Sequence, residues 1–377
     1  MDLALYDPVL GYYARAARRS GRAGDFFTSV DVGPLFGELL EMQLEEMATL
    51  TAETAKHAEK IRSAVSANSA VPVFDLVEAG AGNGRLSADI LRAARRHHPA
   101  FYDTIRLQLV EASAEARRGQ AESLGETGDR LRSSGDSLPA SFEGVLVANE
   151  LLDAFPVHQV VMREDGLREV YVTASQPGDR GAEQTTLRLV EGAPSTPALA
   201  AYLDRLGVTL EPGWRVEINL RAVDWICDAA RRLTRGFIVL IDYGHEAGEL
   251  YSVTHSNGTL TTYAAHQSAG PESAGPTPSW LRRAGEQDIT SHVDFTSVRH
   301  AAEAEGLTTI ALLDQTYFLL GLLNGGGARP LDDLKDRLAL KTLLMPGGLG
   351  STHKIMIFGK GVGTPPLRGC SFSVRVT

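Results

Sequence analysis

The stretch VFDLVEAGAGNGRLSADIL, residues 73–91, decides how the rest of the chain is read. Residues 73–77 form an apolar run of strand length, Glu78 closes it, and Gly80, Gly82 and Gly84 follow at alternate positions. Leu86, Ile90 and Leu91 then recur with the spacing of one helix face. A strand, a glycine turn and a helix in that order open an α/β sheet whose ligand sits beyond the strand's carboxyl end. Glycine is needed because the turn is tight and a ligand must approach bare backbone.

Two ligand classes use such a turn, and its spacing separates them. A dinucleotide fingerprint needs a third glycine where this chain has Arg85, so that a pyrophosphate can meet the helix N-terminus. Glu78 would also repel a diphosphate, whereas it suits a zwitterion carrying an ammonium and a sulfonium. The pattern E-x-G-x-G-x-G resembles the first motif of the class I S-adenosylmethionine-dependent methyltransferases, making Glu78, Gly80, Gly82 and Gly84 candidate cofactor contacts. A glycine-rich turn with no ligand is the competing reading of this motif taken alone.

Working outward, a second strand over 105–110 ends at Glu111, one βα unit after the glycines, where a carboxylate can accept both ribose hydroxyls. Residues 134–137 end a third strand, from which Asp136 can reach an adenine amino group. A fourth strand over 144–148 closes on Asn149 and Glu150. In this architecture the loop after strand four faces the reactive methyl group, so both are candidate catalytic residues, although Asn149 would equally serve as a helix cap. A fifth strand over 237–241 ends in Asp242, Tyr243, Gly244 and His245.

Two interruptions break the alternation. Residues 157–235 carry short β-like segments and read as an inserted subdomain, and residues 246–287 are rich in Gly, Ser, Thr, Pro and His. His255 and His266 are expected to be solvated loop residues, because no metal-ligand spacing links the histidines, and no metal is expected. Upstream, residues 34–50 predict an amphipathic helix with Glu38, Glu41, Glu45 and Glu46 on its solvated face. The expected organisation is an N-terminal loop and helical segment (1–72), an α/β domain with two insertions (73–360) and a peripheral tail (361–377).

With 43% hydrophobic and 22% charged residues among 377, the balance is that of an ordinary globular chain with a sizeable core. A net charge of -10 gives no general attraction to nucleic acid. The two cysteines, Cys227 and Cys370, lie far apart, which suggests neither a disulfide framework nor a zinc site and fits an intracellular protein. No apolar run is long enough to span a bilayer and the first residues do not form a signal peptide, so no membrane insertion is expected.

GRAGDFFTS (21–29), VEAGAGNGRL (77–86), LVEAS (109–113), ANELLDAFPVH (148–158), IDYG (241–244), QDITSHVDF (287–295) and GGLGSTHKIMIFGKG (347–361) together resemble the MidA-like methyltransferase family. Its mitochondrial members are complex I assembly factors that methylate a protein arginine. The resemblance implies a class I methyltransferase fold, a Rossmann-like doubly wound sheet with an N-terminal helical segment and β-rich insertions. It implies S-adenosylmethionine as methyl donor and a protein side chain as acceptor, with Asp25, Thr28, Asn149 and Glu150 around the transferred methyl. Thr28 is counted with the cofactor contacts; Glu150 is expected to orient a guanidinium and accept its proton, with Asp25 as partner and Asn149 as positioner.

The chain departs from the family pattern twice. It is expected to begin inside the family's N-terminal helical segment, and residues 347–354, GGLGSTHK, stand where the family has a methionine-glycine pair and an aromatic residue before the lysine, a change expected to affect C-terminal packing more than chemistry. A respiratory-complex subunit is the kind of protein substrate the family implies, with a homodimer left open, in the cytoplasm of a bacterium or in the mitochondrial matrix for eukaryotic relatives. Two rivals stand beside this reading. One is an assembly or scaffold factor that keeps the cofactor site without turnover, and the other is a small-molecule methyltransferase with a closed pocket.

Overall fold

The computed structural model describes residues 1–15, 28–62, 73–174, 186–264, 267–270, 277–324, 333–345 and 348–372. In chain order its strands are β1 (Phe74–Ala79), β2 (Ile105–Val110), β3 (Leu131–Gly135), β4 (Phe142–Asn149), β5 (His158–Arg163), β6 (Gly166–Ala174), β7 (Leu187–Gly192) and β8 (Arg215–Ile218). They continue with β9 (Leu233–His245), β10 (Thr261–Ala264), β11 (Gln267–Ala269), β12 (Asp288–Thr290), β13 (Val293–Asp294), β14 (Thr308–Asp314) and β15 (His353–Lys360). The chain divides into two compact units, one of residues 28–151, 226–243 and 301–377, the other of 1–27, 152–225 and 244–300.

The first unit is built on a sheet of order β14-β15-β9-β4-β1-β2-β3. β3, β2, β1, β4 and β9 run parallel, and β15 is antiparallel to both its neighbours. Counted within this sheet alone the order is 3-2-1-4-5-7-6, a doubly wound sheet with one reversed strand, as the resemblance implied. Every residue of β1 is buried, the pattern of a central parallel strand covered on both faces. Register aligns Ala79 with Val110 and with Ala148, and Asn149 with Ile241, so four strand ends share one edge. The strand order reverses between β1 and β4, which is where ligands bind in such sheets.

The helix Leu35–Arg62 is longer than the sequence periodicity predicts, and it corrects one expectation. Its glutamates are not a solvated face: Glu41 is 1% exposed, and its Oε1 lies 2.8 Å from His98 Nδ1. Phe36, Leu40, Leu44 and Met47 of the same helix join one core with Leu76 and Val147 of the sheet and Phe318 and Leu343 of later helices. Partners on more than one side cover the stripe that periodicity alone assigned to water.

The second unit holds an antiparallel sheet β7-β6-β5-β8 and a small antiparallel sheet β11-β10-β12. The helix Ala198–Leu206 packs Leu199, Tyr202 and Leu203 against Val160, Val216 and Ile218. Asp294 caps the helix Phe295–Ala304, its Oδ1 accepting from the N–H groups of Thr296 (3.0 Å) and Ser297 (3.2 Å). β10 and β11 lie in the stretch read as loop, since strands of three or four residues carry too little alternation to be seen. Among the described residues no helix is long and apolar enough to cross a membrane.

Candidate active site

The loop after β1 is left-handed at three alternate glycines, with φ +73° at Gly80, +50° at Gly82 and +80° at Gly84. That conformation is costly for any residue with a Cβ. A Cβ at Gly82 would meet nothing within 4 Å, so the turn opens onto free space. The helix Arg85–His97 starts directly after it.

Glu78 turns beneath the loop. It is 5% exposed, and its Oε2 accepts from the Ser87 N–H (3.2 Å) and from the Ser87 hydroxyl. Burial pushes its carboxyl up to about 7, against the opposing pull of those Ser87 hydrogen bonds. In these contacts Glu78 ties the end of β1 to the first turn of the helix. Arg85, the residue that spoiled the dinucleotide spacing, reaches back to Asp31 Oδ1 (2.7 Å) and to the Val30 carbonyl (2.9 Å). Asp31 in turn accepts from the Thr28 N–H (3.1 Å) and the Thr28 hydroxyl (3.0 Å). Thr28 is thereby joined to the glycine loop through Asp31 and Arg85. Asp25 lies outside the described residues.

Glu111 stands at the end of β2. Its Oε2 accepts from the Gly82 N–H (2.8 Å) and its Oε1 from the Ser113 N–H (2.7 Å). A carboxylate has about four lone-pair sites, so two remain for a vicinal diol. Gln120, 1% exposed, braces the same turn by donating to the Gly82 carbonyl (2.9 Å) while accepting from the Ser134 hydroxyl (2.7 Å). Sequence reasoning did not single out Gln120, which lies mid-helix with no motif around it. Asp136 is exposed just past β3, and its Oδ1 accepts from the Ser137 hydroxyl (3.0 Å).

The loop after β4 has a different character. Glu150 is the one non-glycine residue among those described with a positive φ, +51°. Its N–H donates to the Ile241 carbonyl (2.7 Å), and the next N–H, of Leu151, donates to Asp242 Oδ2 (3.2 Å). The Glu150 side chain is 9% exposed and lies 3.5 Å, Oε1 to Nε2, from His353. Tyr243 donates its hydroxyl to Glu150 Oε2 (3.2 Å), and the Tyr243 and His353 rings are 4.1 Å apart because the two residues are cross-strand partners on β9 and β15. Asn149 turns its amide nitrogen to Glu150 Oε1 (3.2 Å), leaving its Oδ1 buried with no partner among the described residues.

His353 Nδ1 lies 2.9 Å from the Leu349 carbonyl, which can only accept, so Nδ1 carries a proton. Nε2, buried and without a hydrogen-bond partner, faces the Glu150 carboxylate. Sequence reading assigned His353 to packing; its place opposite Glu150 depends on β15 running back alongside β9, about 200 residues after Glu150 in the chain.

The sheet order, the left-handed glycine cradle and a carboxylate with spare valence at the end of β2 together define a class I S-adenosylmethionine-dependent methyltransferase. Residues 31–313 match the family described as "Putative S-adenosyl-L-methionine-dependent methyltransferase", and the chain belongs to that family. The mouse mitochondrial protein arginine methyltransferase NDUFAF7 is 29% identical over 344 residues, covering 85% of this chain and 68% of its own length. The Drosophila melanogaster homologue is 27% identical over 330 residues, 81% of this chain and 66% of its own length. The chain thus spans about two thirds of these curated relatives. A Burkholderia thailandensis crystal structure, of a "likely methyl transferase" bound to S-adenosyl-homocysteine, superposes with a TM-score of 0.81 at 26% identity, covering 98% of this chain and 88% of that one.

S-adenosylmethionine is the cofactor, and the cradle fits it: the open face of Gly82 and the two unfilled acceptor sites of Glu111 suit a nucleoside. When bound it supplies an electrophilic methyl group on a sulfonium. What this chain contributes is backbone to approach, a carboxylate for hydroxyl donors, and a braced loop that needs no rearrangement.

Proposed function

We propose that this chain methylates an arginine side chain of a protein partner. The observation that carries the reading is the acceptor-rich corner after β4, where Glu150, the partnerless Asn149 Oδ1 and the His353 Nε2 face converge. A guanidinium has five donors and no acceptor, so it is the protein group best matched to such a corner. Lysine offers a point charge with three donors and leaves the planar match unused.

In this proposal Glu150 Oε2, steadied by Tyr243, and Asn149 Oδ1 hold adjacent guanidinium nitrogens and direct one of them at the methyl. A new N–C bond forms as the S–C bond breaks, and the guanidinium nitrogen gives up one proton. That proton goes to Glu150 and on to His353 Nε2, whose Nδ1 is held by the Leu349 carbonyl. The names of the NDUFAF7 relatives support arginine as acceptor. Asp25, which lies outside the described residues, remains part of the proposal as a second carboxylate on the strength of its motif alone.

The test is methyl transfer from isotope-labelled S-adenosylmethionine to proteins of the source cell, with the modified residue located by mass spectrometry. Methylarginine in a folded partner's exposed segment is the expected outcome. Label found on lysine or on a small molecule would overturn the arginine reading. Cofactor binding with no transfer to any protein would favour a scaffold role.

A further inference from the structure

Three histidines that are scattered in the sequence meet in the second unit. His245, His255 and His292 each offer an imidazole nitrogen within 4.8 Å of the others, with ring centroids 4.8, 5.2 and 5.8 Å apart. The backbone brings them together for identifiable reasons. Val293 pairs with Gly244, whose missing Cβ would lie 2.1 Å from the Val293 carbonyl oxygen, so only glycine permits the approach that sets His292 beside His245. The short turn Val253–His255 then supplies the third ring.

Nearby groups fix where the three residues stand. His255 Nδ1 lies 3.1 Å from the Glu249 carbonyl, which can only accept, so its Nε2 is left as the ligand nitrogen, and the Glu249 carboxylate stands 3.0 Å from His245 Nδ1. This is the support that metal-bound histidines receive. The His292 N–H donates to Thr259 Oγ1 (3.0 Å), which donates to the buried Glu217 carboxylate (3.1 Å). Glu217 also takes the Thr259 N–H (2.7 Å) and the Gln159 amide (2.9 Å), which makes the anchor of His292 rigid. His292 Nδ1 is buried with no partner among the described residues.

We propose that His245, His255 and His292 bind one divalent first-row transition-metal ion, with zinc as the representative, through three imidazole nitrogens and one open coordination position. The donor set is all nitrogen, which suits zinc, copper, nickel or iron and disfavours magnesium and calcium. Ligands at about 2.0–2.1 Å in a tetrahedron stand about 3.4 Å apart, so small side-chain rotations close the present spacing. Without a cation, three imidazoles share a half-buried space with a partnerless nitrogen among them; a cation satisfies all three. This site does not depend on the methyl-transfer reading.

The test is calorimetric titration of the untagged, chelator-stripped full chain with zinc chloride, alongside cobalt(II) absorption spectra. About one equivalent per chain at micromolar affinity or tighter is expected, with cobalt bands of tetrahedral form. His255→Ala, in a surface turn, should weaken binding at least about tenfold while circular dichroism stays native, and Glu249→Ala should weaken it by about tenfold through His245. A folded wild type that takes up no zinc or cobalt overturns the proposal. So does a folded His255→Ala variant that binds as the wild type does.

Discussion

After β1 the chain turns through three left-handed glycines, whereas after β4 it turns through Glu150, a residue with a full side chain held at φ +51°. Both loops lie at the same edge of the sheet and both need a backbone conformation that L-residues resist. The glycine loop avoids the cost and leaves only N–H and carbonyl groups facing the ligand. The Glu150 loop accepts roughly 1–3 kcal/mol of strain, offset by the Ile241, Asp242, Tyr243 and Asn149 hydrogen bonds around it. The difference teaches a division of labour: one loop offers bare backbone to the cofactor, and the other holds a strained residue whose side chain, in the proposed function, meets the group to be methylated.

The comparison breaks most decisively at Glu150. Glu150→Gln keeps the shape and the hydrogen bond from Tyr243 but removes the charge and the proton acceptor. Turnover should fall by about 10²–10⁴ with cofactor affinity within about twofold of wild type, read by single-turnover transfer and calorimetry. Unchanged turnover would remove Glu150 from the chemistry.

Placing a side chain where backbone serves is the reciprocal experiment. A Cβ at Gly82 meets no protein atom within 4 Å, so the fold should survive Gly82→Ala while S-adenosylmethionine affinity drops about 10–100-fold. Glu111→Ala should weaken binding over a similar range by losing charge-assisted hydrogen bonds to hydroxyls. If both variants bind as wild type does, the ligand lies elsewhere and the contrast between the two loops fails.

The smallest effect sharpens what holds the glycine loop in place. Glu78 is raised from an ordinary 4.5 to about 7 by burial. Between those values the folded chain keeps a proton that the unfolded chain has released, so stability falls as pH rises through that window and levels off above it. Glu78→Gln, which can still accept from Ser87, should flatten this decline, changing the melting temperature by a few degrees near neutral pH and little near pH 4. A parallel decline in both proteins would show that the loop is insensitive to this proton.

The sheet and the cofactor loop were legible because their signals are local. The apolar run before Glu78, the alternate glycines and the acid at the end of β2 need only neighbouring residues to be recognised, since strand length, left-handed φ and strand-end position are short-range properties. Asn149 and Glu150 drew notice for the same reason, as polar residues directly after a clean apolar strand.

Only the tertiary structure decided which side chains face one another. His353 reaches Glu150 because β15 is reversed against β9, Glu41 is buried because its helix is covered on a side that periodicity assigned to water, and three histidines converge because Gly244 lets β13 close on the end of β9. None of these contacts leaves a local trace in the chain. The sequence by itself determined the architecture and the cradle through backbone preferences; the tertiary structure determined the facing of Glu150 and His353 and the histidine cluster, because those depend on distances set by strand pairing between segments tens to hundreds of residues apart.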